Sequence, residues 1–139
     1  MNLIDTALKI ALRAHTGAVD KAGQPYILHP IRLMLKMTDD VEKATALLHD
    51  VIEDSDITAN DLLAEGIPDT VVTAVLALTK QDHETYTAFV LRAKQHPIAR
   101  KVKIADIEDN LNVLRIKTLT EKDLARIAKY HEAWQMLQD

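Results

Sequence analysis

Histidines and carboxylates recur at short spacings in three segments of the chain. A His-Asp pair at residues 49–50 is followed, four residues after each member, by two further acidic residues, and the segments YILHP and VKIADIEDN add one His and one Asp. Two imidazoles and two carboxylates would make a mixed nitrogen and oxygen site for a borderline or hard divalent ion. Mn²⁺ fits such a site better than a closed structural Zn²⁺ site, which typically uses thiolates. The candidate residues are His29, His49, Asp50, Glu53, Asp54 and Asp106.

Residues 49–54 have the spacing of one helical turn. In a continuous helix, residues four apart share a face, so His49 would lie one turn below Glu53, and Asp50 one turn below Asp54. We expect a helix over about residues 40–54 that places these side chains opposite an apolar stripe. On an arbitrary surface helix such a face is ordinary solvated charge. The interpretation as a metal site therefore depends on His29 and Asp106, which lie elsewhere in the chain.

The composition favours a single all-α domain. With 139 residues, 47% of them hydrophobic, the chain can bury one sizeable core but is too short for two full domains. Only 3 Gly and 4 Pro interrupt a sequence rich in helix-forming residues, which favours helices over a sheet. We expect residues 1–139 to form one domain, a bundle of about seven to eight helices.

Charge and cysteine content exclude several functional classes. The net charge of −4 opposes binding to nucleic acid polymers but is compatible with a small anionic ligand. The chain has no Cys, which removes disulfides, thiolate ligands and cysteine catalysis. The N-terminus lacks a basic lead-in and is interrupted by Lys9 and Arg13, so it indicates neither a signal peptide nor a membrane span. We expect a cytoplasmic protein without membrane contact, and the sequence is compatible with an oligomer.

Apolar periodicity and cap residues place the helices. A first amphipathic helix is predicted from Leu3 to about His15, followed by an exposed loop over residues 16–25, which hold two Gly and a Pro. Pro30 is expected to begin the second helix. Thr58 should cap a short helix that Gly66 ends. The remaining predicted helices cover about residues 40–54, 69–78, 85–95, 98–114 and 120–137.

Three blocks of the sequence together resemble a known family. The runs AHTGAVDKAGQPYILHP, ALLHDVIEDSDIT and VKIADIEDNL occur in the order and approximate spacing of the hydrolase domain of RelA/SpoT-type alarmone enzymes, members of the HD superfamily. The resemblance extends from about Ala14 to Leu111 and is far more specific than a His-Asp pair alone. The length resembles that of a stand-alone small alarmone hydrolase of the metazoan SpoT homologue type.

The resemblance implies a role for each matching residue. Glu53 and Asp54 would be the catalytic carboxylates, which orient a metal-bound water and accept its proton. Lys21 would bring positive charge to the phosphates or stack near the base, and Asn110 would hydrogen-bond the sugar or a phosphate. The reaction implied is hydrolysis of the 3′-pyrophosphate of a purine nucleotide, a ppGpp-like alarmone. The ligands of Mn²⁺, or of another divalent metal, would be His29, His49, Asp50 and Asp106.

The chain departs from the family pattern at four positions. The family usually has Arg before the loop Lys, where this chain has Asp20, a carboxylate that repels phosphate and cannot stack as guanidinium does. Around the last block, the usual Arg, His and Arg are replaced by Ile107, Asp109 and Asn112. These departures leave open which purine base is bound and which phosphate is removed.

Two other functions remain compatible with the sequence. A phosphatase could act on the 2′- or 3′-phosphate of a nucleotide cofactor or on an adenosine alarmone, and orthophosphate rather than pyrophosphate would mark a monoesterase. A non-catalytic nucleotide sensor is a third reading. The presence of both Glu53 and Asp54 argues against the sensor, because a structural metal site needs no pair that orients water.

The remaining polar residues are interpreted as structural or solvated. His15 and His131 fall on apolar stripes and are predicted to be core or boundary histidines. Asp109 belongs to an acidic run for which a solvated helix face is the default. Lys103 belongs to a small basic cluster that we interpret as ordinary surface charge.

Overall fold

The computed structural model describes residues 2–139 and shows an all-α fold, which confirms the predicted class. Within these residues, the only strand-like pairing is an isolated bridge between Val19 and Pro25, in the loop after the first helix. A 3₁₀ turn covers Val113–Arg115. The helices are α1 (Leu3–His15), α2 (Leu28–Leu35), α3 (Asp40–Leu48), α4 (Val51–Asp54), α5 (Ala59–Ala64), α6 (Asp69–Ala77), α7 (Tyr86–Lys94), α8 (Pro97–Asn110) and α9 (Glu121–Leu137).

Short polar residues cap several helices. Thr58 caps α5 as predicted: its hydroxyl accepts a hydrogen bond from the N–H of Asp61, whose carboxylate accepts one from the N–H of Thr58. Asp39 and Thr120 form the same reciprocal box at the starts of α3 and α9. Gly66 follows α5 with φ of 93°, a left-handed conformation that favours glycine, so it ends the helix as predicted.

Two predicted helix boundaries are wrong. The second helix begins at Leu28 rather than Pro30, because the N–H groups of Leu28 and His29 already donate to carbonyls three residues back. Helix α8 ends at Asn110 rather than near Leu114, and the 3₁₀ turn follows it. Across residues 2–139, every helix is too short or too polar to span a bilayer.

The helix predicted over residues 40–54 is divided by a turn at His49 and Asp50. Asp50 has φ of −119° and ψ of 10°, outside the helical region, and the N–H of His49 points to the carbonyl three residues back. The prediction that His49 lies one turn below Glu53 on a continuous face is therefore wrong. Adjacent residues of a helix point about 100° apart. The turn instead allows His49 and Asp50 to face each other.

Helix α3 lies at the centre of the packing and brings the three sequence blocks together. It contacts α1, α2, α6 and α8, and its last five residues are buried. Leu47 and Leu48 are fully buried in a cluster with Ile10 and Val71. A second cluster around Leu33 joins α2, α3 and α8. The apolar core thus holds α2, the turn after α3, and α8 against one another.

Leu47→Ala should lower the free energy of unfolding by about 2–5 kcal/mol, because it leaves a cavity that its neighbours fill only in part. Urea denaturation followed by circular dichroism measures the change. Leu114→Ala is the control: that side chain is 94% exposed, and its truncation should change stability by less than about 0.5 kcal/mol. Equal losses in the two variants would contradict the central position of α3.

Candidate metal centre

The four predicted ligands meet where α2, the turn after α3, and α8 come together. Nε2 of His29 lies 2.9 Å from Oδ1 of Asp106, and Nε2 of His49 lies 3.6 Å from the same oxygen. Nε2 of His49 is also 3.6 Å from Oδ2 of Asp50. All four side chains are buried, and His29, His49 and Asp50 offer ligand atoms within 4.8 Å of one another. This arrangement suits a divalent ion bound by nitrogen and oxygen.

Each imidazole is oriented by a contact at the ring nitrogen that faces away from the centre. Nδ1 of His49 lies 2.8 Å from the carbonyl oxygen of Ala46. Nδ1 of His29 lies 2.6 Å from Oδ2 of Asp109. Both oxygens are acceptors, so each ring donates through Nδ1 and directs Nε2 at Asp106 as the nitrogen that a metal would use.

Buried negative charge dominates the centre. Burial opposes the positive charge on His49, but Asp50 and Asp106 outweigh it and raise the pKa of this imidazole to about 9. Burial also opposes ionisation of Asp106, but Lys103 and the neighbouring imidazoles hold the pKa of this carboxyl well below its usual value. The centre therefore favours a bound cation, either a proton or a metal ion.

Asp50 is held by groups from α1 and from the loop that follows it. Its Oδ1 lies 3.1 Å from Nε2 of His15, and its Oδ2 accepts a hydrogen bond from the hydroxyl of Tyr26. Burial opposes ionisation of Asp50, but the imidazole of His49 and these hydrogen bonds outweigh it and lower the pKa. His15 is thus buried, as predicted, although it contacts a candidate ligand. His131 is exposed, so its predicted core or boundary position is wrong.

The two predicted catalytic carboxylates line a cavity of about 280 Å³ together with Asp50 and other residues of the centre. Oε1 of Glu53 accepts a hydrogen bond from the N–H of Lys80, which orients it from the segment after α6. Burial, together with the charges of Asp50 and Glu53, raises the pKa of Asp54 to about 6. His15, Asp50 and Asp54 form a second group that could hold a metal ion, and it shares Asp50 with the first.

Two residues that the sequence analysis assigned to the surface are buried beside the ligands. Asp109 contacts His29 and accepts hydrogen bonds of 2.8 and 2.9 Å from Arg32. Lys103 donates to Oδ2 of Asp106 at 3.1 Å. Both interpretations as solvated charge are therefore wrong. Helical spacing could have indicated this position. Lys103, Asp106 and Asp109 follow one another at intervals of three residues on α8, so they lie near one face of the helix.

A second cavity of about 360 Å³ adjoins the first and shares part of its lining. Lys21 lines it, and so does Asn110, whose Nδ2 donates to Oδ1 of Asp106 at 3.1 Å. Arg115 and Arg126 add two guanidinium groups to its wall. Neither arginine was predicted, because both lie after the three blocks that carry the family resemblance. The structure thus places Lys21 and Asn110, the predicted substrate-binding residues, at a cavity with three cationic and two acidic side chains beside the candidate metal centre.

The other three departures from the family pattern, at Asp20, Ile107 and Asn112, lie in different parts of the structure. Asp20 organises its loop: Oδ1 accepts hydrogen bonds of 2.8 and 3.0 Å from two backbone N–H groups, and Oδ2 lies 3.3 Å from Nη1 of Arg115. Ile107 is fully buried in the cluster that joins α7, α8 and α9. Asn112 is exposed and lines the second cavity. The carboxylate of Asp20 is therefore paired with a guanidinium at the cavity wall.

Lys103→Met should lower the free energy of unfolding of the metal-free protein by about 1.5–3 kcal/mol, the usual contribution of a hydrogen bond to a charged group. The ammonium that is lost bonds to Asp106 and lies 4.9 Å from the ring centre of Phe89. Urea denaturation in EDTA measures the change. Lys101→Met is the matched control, because this side chain is 40% exposed and its ion pair should contribute less than about 1 kcal/mol. A larger loss in the control would contradict the assignment.

The chain is similar in sequence to several curated proteins, although no family model matches it. It is 30% identical to a guanosine-3′,5′-bis(diphosphate) 3′-pyrophosphohydrolase of Aquifex aeolicus, over 91% of the chain and 19% of that protein. It is 34% identical to the Vibrio cholerae protein of the same name, over 76% and 17%. It is 27% identical to a GTP pyrophosphokinase of Myxococcus xanthus, over 93% and 19%. The chain therefore spans about a fifth of the length of these relatives.

The chain is also similar in structure to a metazoan ortholog of SpoT that hydrolyses ppGpp. The TM-score is 0.80 at 22% identity, over 99% of this chain and 85% of that one. This likeness shows a common fold. The chain is thus a homologue of one segment of the RelA/SpoT-type alarmone enzymes and has the fold of the metazoan SpoT ortholog, as its three sequence blocks predict.

Proposed function

We propose that the chain is a metal-dependent phosphohydrolase that removes pyrophosphate from the 3′ position of a purine nucleotide, with ppGpp as the first candidate substrate and Mn²⁺ as the metal. The observation that carries this proposal is the meeting of two buried imidazoles and two buried carboxylates beside a cavity that two further carboxylates line. A purely structural metal site needs neither the cavity nor the additional carboxylates. The names of the Aquifex and Vibrio relatives support the same reaction.

The donor set fits a divalent cation in both charge and chemistry. Asp50 and Asp106 bring negative charge to a buried position, which the ammonium of Lys103 offsets in part. His29 and His49 complete the set with nitrogen. The two carboxylates and the absence of thiolates favour Mn²⁺ over a closed structural Zn²⁺ site. A bound divalent ion supplies Lewis acidity toward a phosphoryl oxygen and lowers the pKa of a water ligand.

Glu53 and Asp54 would accept and transfer the proton of the attacking water. The water oxygen bonds to the phosphorus next to the 3′ oxygen, the bond between that phosphorus and the 3′ oxygen breaks, and pyrophosphate leaves. One proton moves from the water to a carboxylate, and the 3′ oxygen takes up a proton to become a hydroxyl. The hydrogen bond from the N–H of Lys80 holds Glu53 in an orientation that can direct such a water.

The second cavity supports a nucleotide as substrate. Lys21, Arg115 and Arg126 bring three positive side chains to its wall. Asp20 pairs with Arg115, and Asp123 pairs with Arg126, so Lys21 supplies the positive charge that complements phosphate oxygens. Asn110 lines both cavities, so a sugar bound at this junction could place its 3′ substituent toward the metal centre. A cavity of about 360 Å³ is in the size range of small-molecule sites, whereas the net charge of −4 disfavours nucleic acid polymers.

The purified protein with Mn²⁺ should release pyrophosphate from purine 3′-pyrophosphates, and EDTA should abolish the reaction. Asp50→Asn should remove a metal ligand and the activity with it, and Glu53→Gln should lower kcat by about 10²–10⁴-fold through loss of general base catalysis. Chromatography of the products over time measures both. Asp56→Asn, an exposed acidic residue three positions after Glu53, is the matched control and should keep full activity.

The product of this assay separates the competing functions. Orthophosphate in place of pyrophosphate would contradict the proposed bond and favour a nucleotide phosphomonoesterase. Absence of turnover on a panel of guanosine and adenosine 3′-pyrophosphates and of 2′- and 3′-phosphorylated nucleotides, despite tight binding of Mn²⁺, would contradict the enzyme and favour a nucleotide sensor. The preferred member of the panel identifies the base.

Lys21→Ala should raise KM for the nucleotide about tenfold, a loss of about 1.4 kcal/mol, and leave kcat nearly unchanged. The reason is that Lys21 lines the second cavity and does not line the first, which holds the proposed catalytic carboxylates. Steady-state kinetics across substrate concentrations measure the two constants. Lys9→Ala, which removes an exposed lysine on α1 that lines neither cavity, is the control. A fall in kcat with unchanged KM would assign Lys21 to the chemical step instead.

A further inference from the structure

We propose that Asp109 is a positioning residue for the metal centre, which holds the imidazole of His29 in the orientation and tautomer that bind the metal, and that Arg32 in turn fixes Asp109. The inference rests on the proposed metal site. It adds two residues to that site which neither the sequence blocks nor the resemblance assigned to it.

Asp109 is buried and hydrogen-bonded to both His29 and Arg32. Its side chain is 6% exposed, and Oδ2 lies 2.6 Å from Nδ1 of His29. Nε and Nη2 of Arg32 donate to Oδ1 and Oδ2 at 2.8 and 2.9 Å, the two-pronged geometry in which guanidinium binds carboxylate. The guanidinium of Arg115 donates to the backbone carbonyl of Asp109 at 3.1 Å and so fixes the main chain at the same point.

The carboxylate of Asp109 contacts Nδ1 of His29, the ring nitrogen that faces away from the other candidate ligands. A carboxylate at Nδ1 keeps the proton on that nitrogen, leaves Nε2 as the ligand atom and makes the ring a stronger base toward a metal. The other imidazole of the centre, His49, has only the neutral carbonyl of Ala46 at the corresponding nitrogen. His29 is therefore the ligand that depends on a side chain, and position 109 is one where the resembling family usually has His instead.

Asp109 is separate from the acidic surface beside it, which supplies a matched control. Glu108 directly precedes it on α8, but its side chain is 44% exposed and lies 3.9 Å from the ammonium of Lys36. Glu108→Gln removes the same charge at nearly the same distance along the chain without touching an imidazole. A difference between Asp109→Asn and Glu108→Gln therefore reports the contact with His29 rather than the net charge.

The test is titration of the metal-free protein with Mn²⁺, with the unbound ion measured by its electron paramagnetic resonance signal. Asp109→Asn should weaken Mn²⁺ binding by about 10–100-fold, the range found when such a partner of a ligand is lost. Arg32→Gln should weaken it in the same direction by a smaller factor, and it covers the case in which Asp109→Asn fails to fold. Glu108→Gln should leave the affinity unchanged.

A spectroscopic measurement separates positioning from general stability. In the wild-type protein loaded with diamagnetic Zn²⁺, ¹⁵N NMR should show Nδ1 of His29 protonated and Nε2 bound to the metal, and Asp109→Asn or Arg32→Gln should disturb this pattern for His29 while the resonances of His49 are retained. Mn²⁺ affinities equal to that of Glu108→Gln in both variants would overturn the positioning role while leaving the proposed hydrolase intact. Weakened binding by variants of a wild-type protein that binds Mn²⁺ but hydrolyses no nucleotide would support the positioning role and contradict the hydrolase. Absence of Mn²⁺ binding by the wild-type protein would overturn both.

Discussion

The compensation of buried carboxylate charge is the constraint on which this structure depends. An ionised carboxylate inside a protein costs several kcal/mol unless donors or cations surround it. Asp50, Asp106 and Asp109 are all buried, and their partners come from α1, α2, the loop between them and α8. The charges therefore join these segments at the place where a divalent cation would be bound. A divalent cation bound there would add to the same charge balance that holds these helices together.

The parts of this picture that the sequence predicted are those encoded by local pattern. Helical periodicity and caps such as Thr58 depend on residues within a few positions of each other, so the all-α class and most helix bounds were accessible. The ligand candidates were accessible because His, Asp and Glu are few and their blocks match a family pattern. His29, His49, Asp50 and Asp106 do converge, although their roles as ligands stay a prediction.

The parts that could not be predicted depend on contacts between distant residues. The contact between Asp109 and His29 spans 80 positions, and no local pattern distinguishes that carboxylate from its exposed neighbour Glu108. The break at Asp50 was missed because the apolar pattern continues through it, so periodicity alone indicates one helix. Tertiary hydrogen bonds to Asp50 from His15 and Tyr26 accompany the altered backbone. In both cases the polar contacts join residues that lie far apart in the chain, which local pattern does not encode.

The ion pair between Asp20 and Arg115 has a consequence for how such sequences can diverge. These residues are 95 positions apart, yet Asp20 supports its own loop and neutralises a guanidinium of the cavity wall at once. An arginine at position 20, as the resembling family usually has, would meet Arg115 as a like charge and would lose the two backbone hydrogen bonds. The two positions should therefore covary among relatives. Exchange of the loop after α1 without the turn after α8 would leave one member of this pair without its partner.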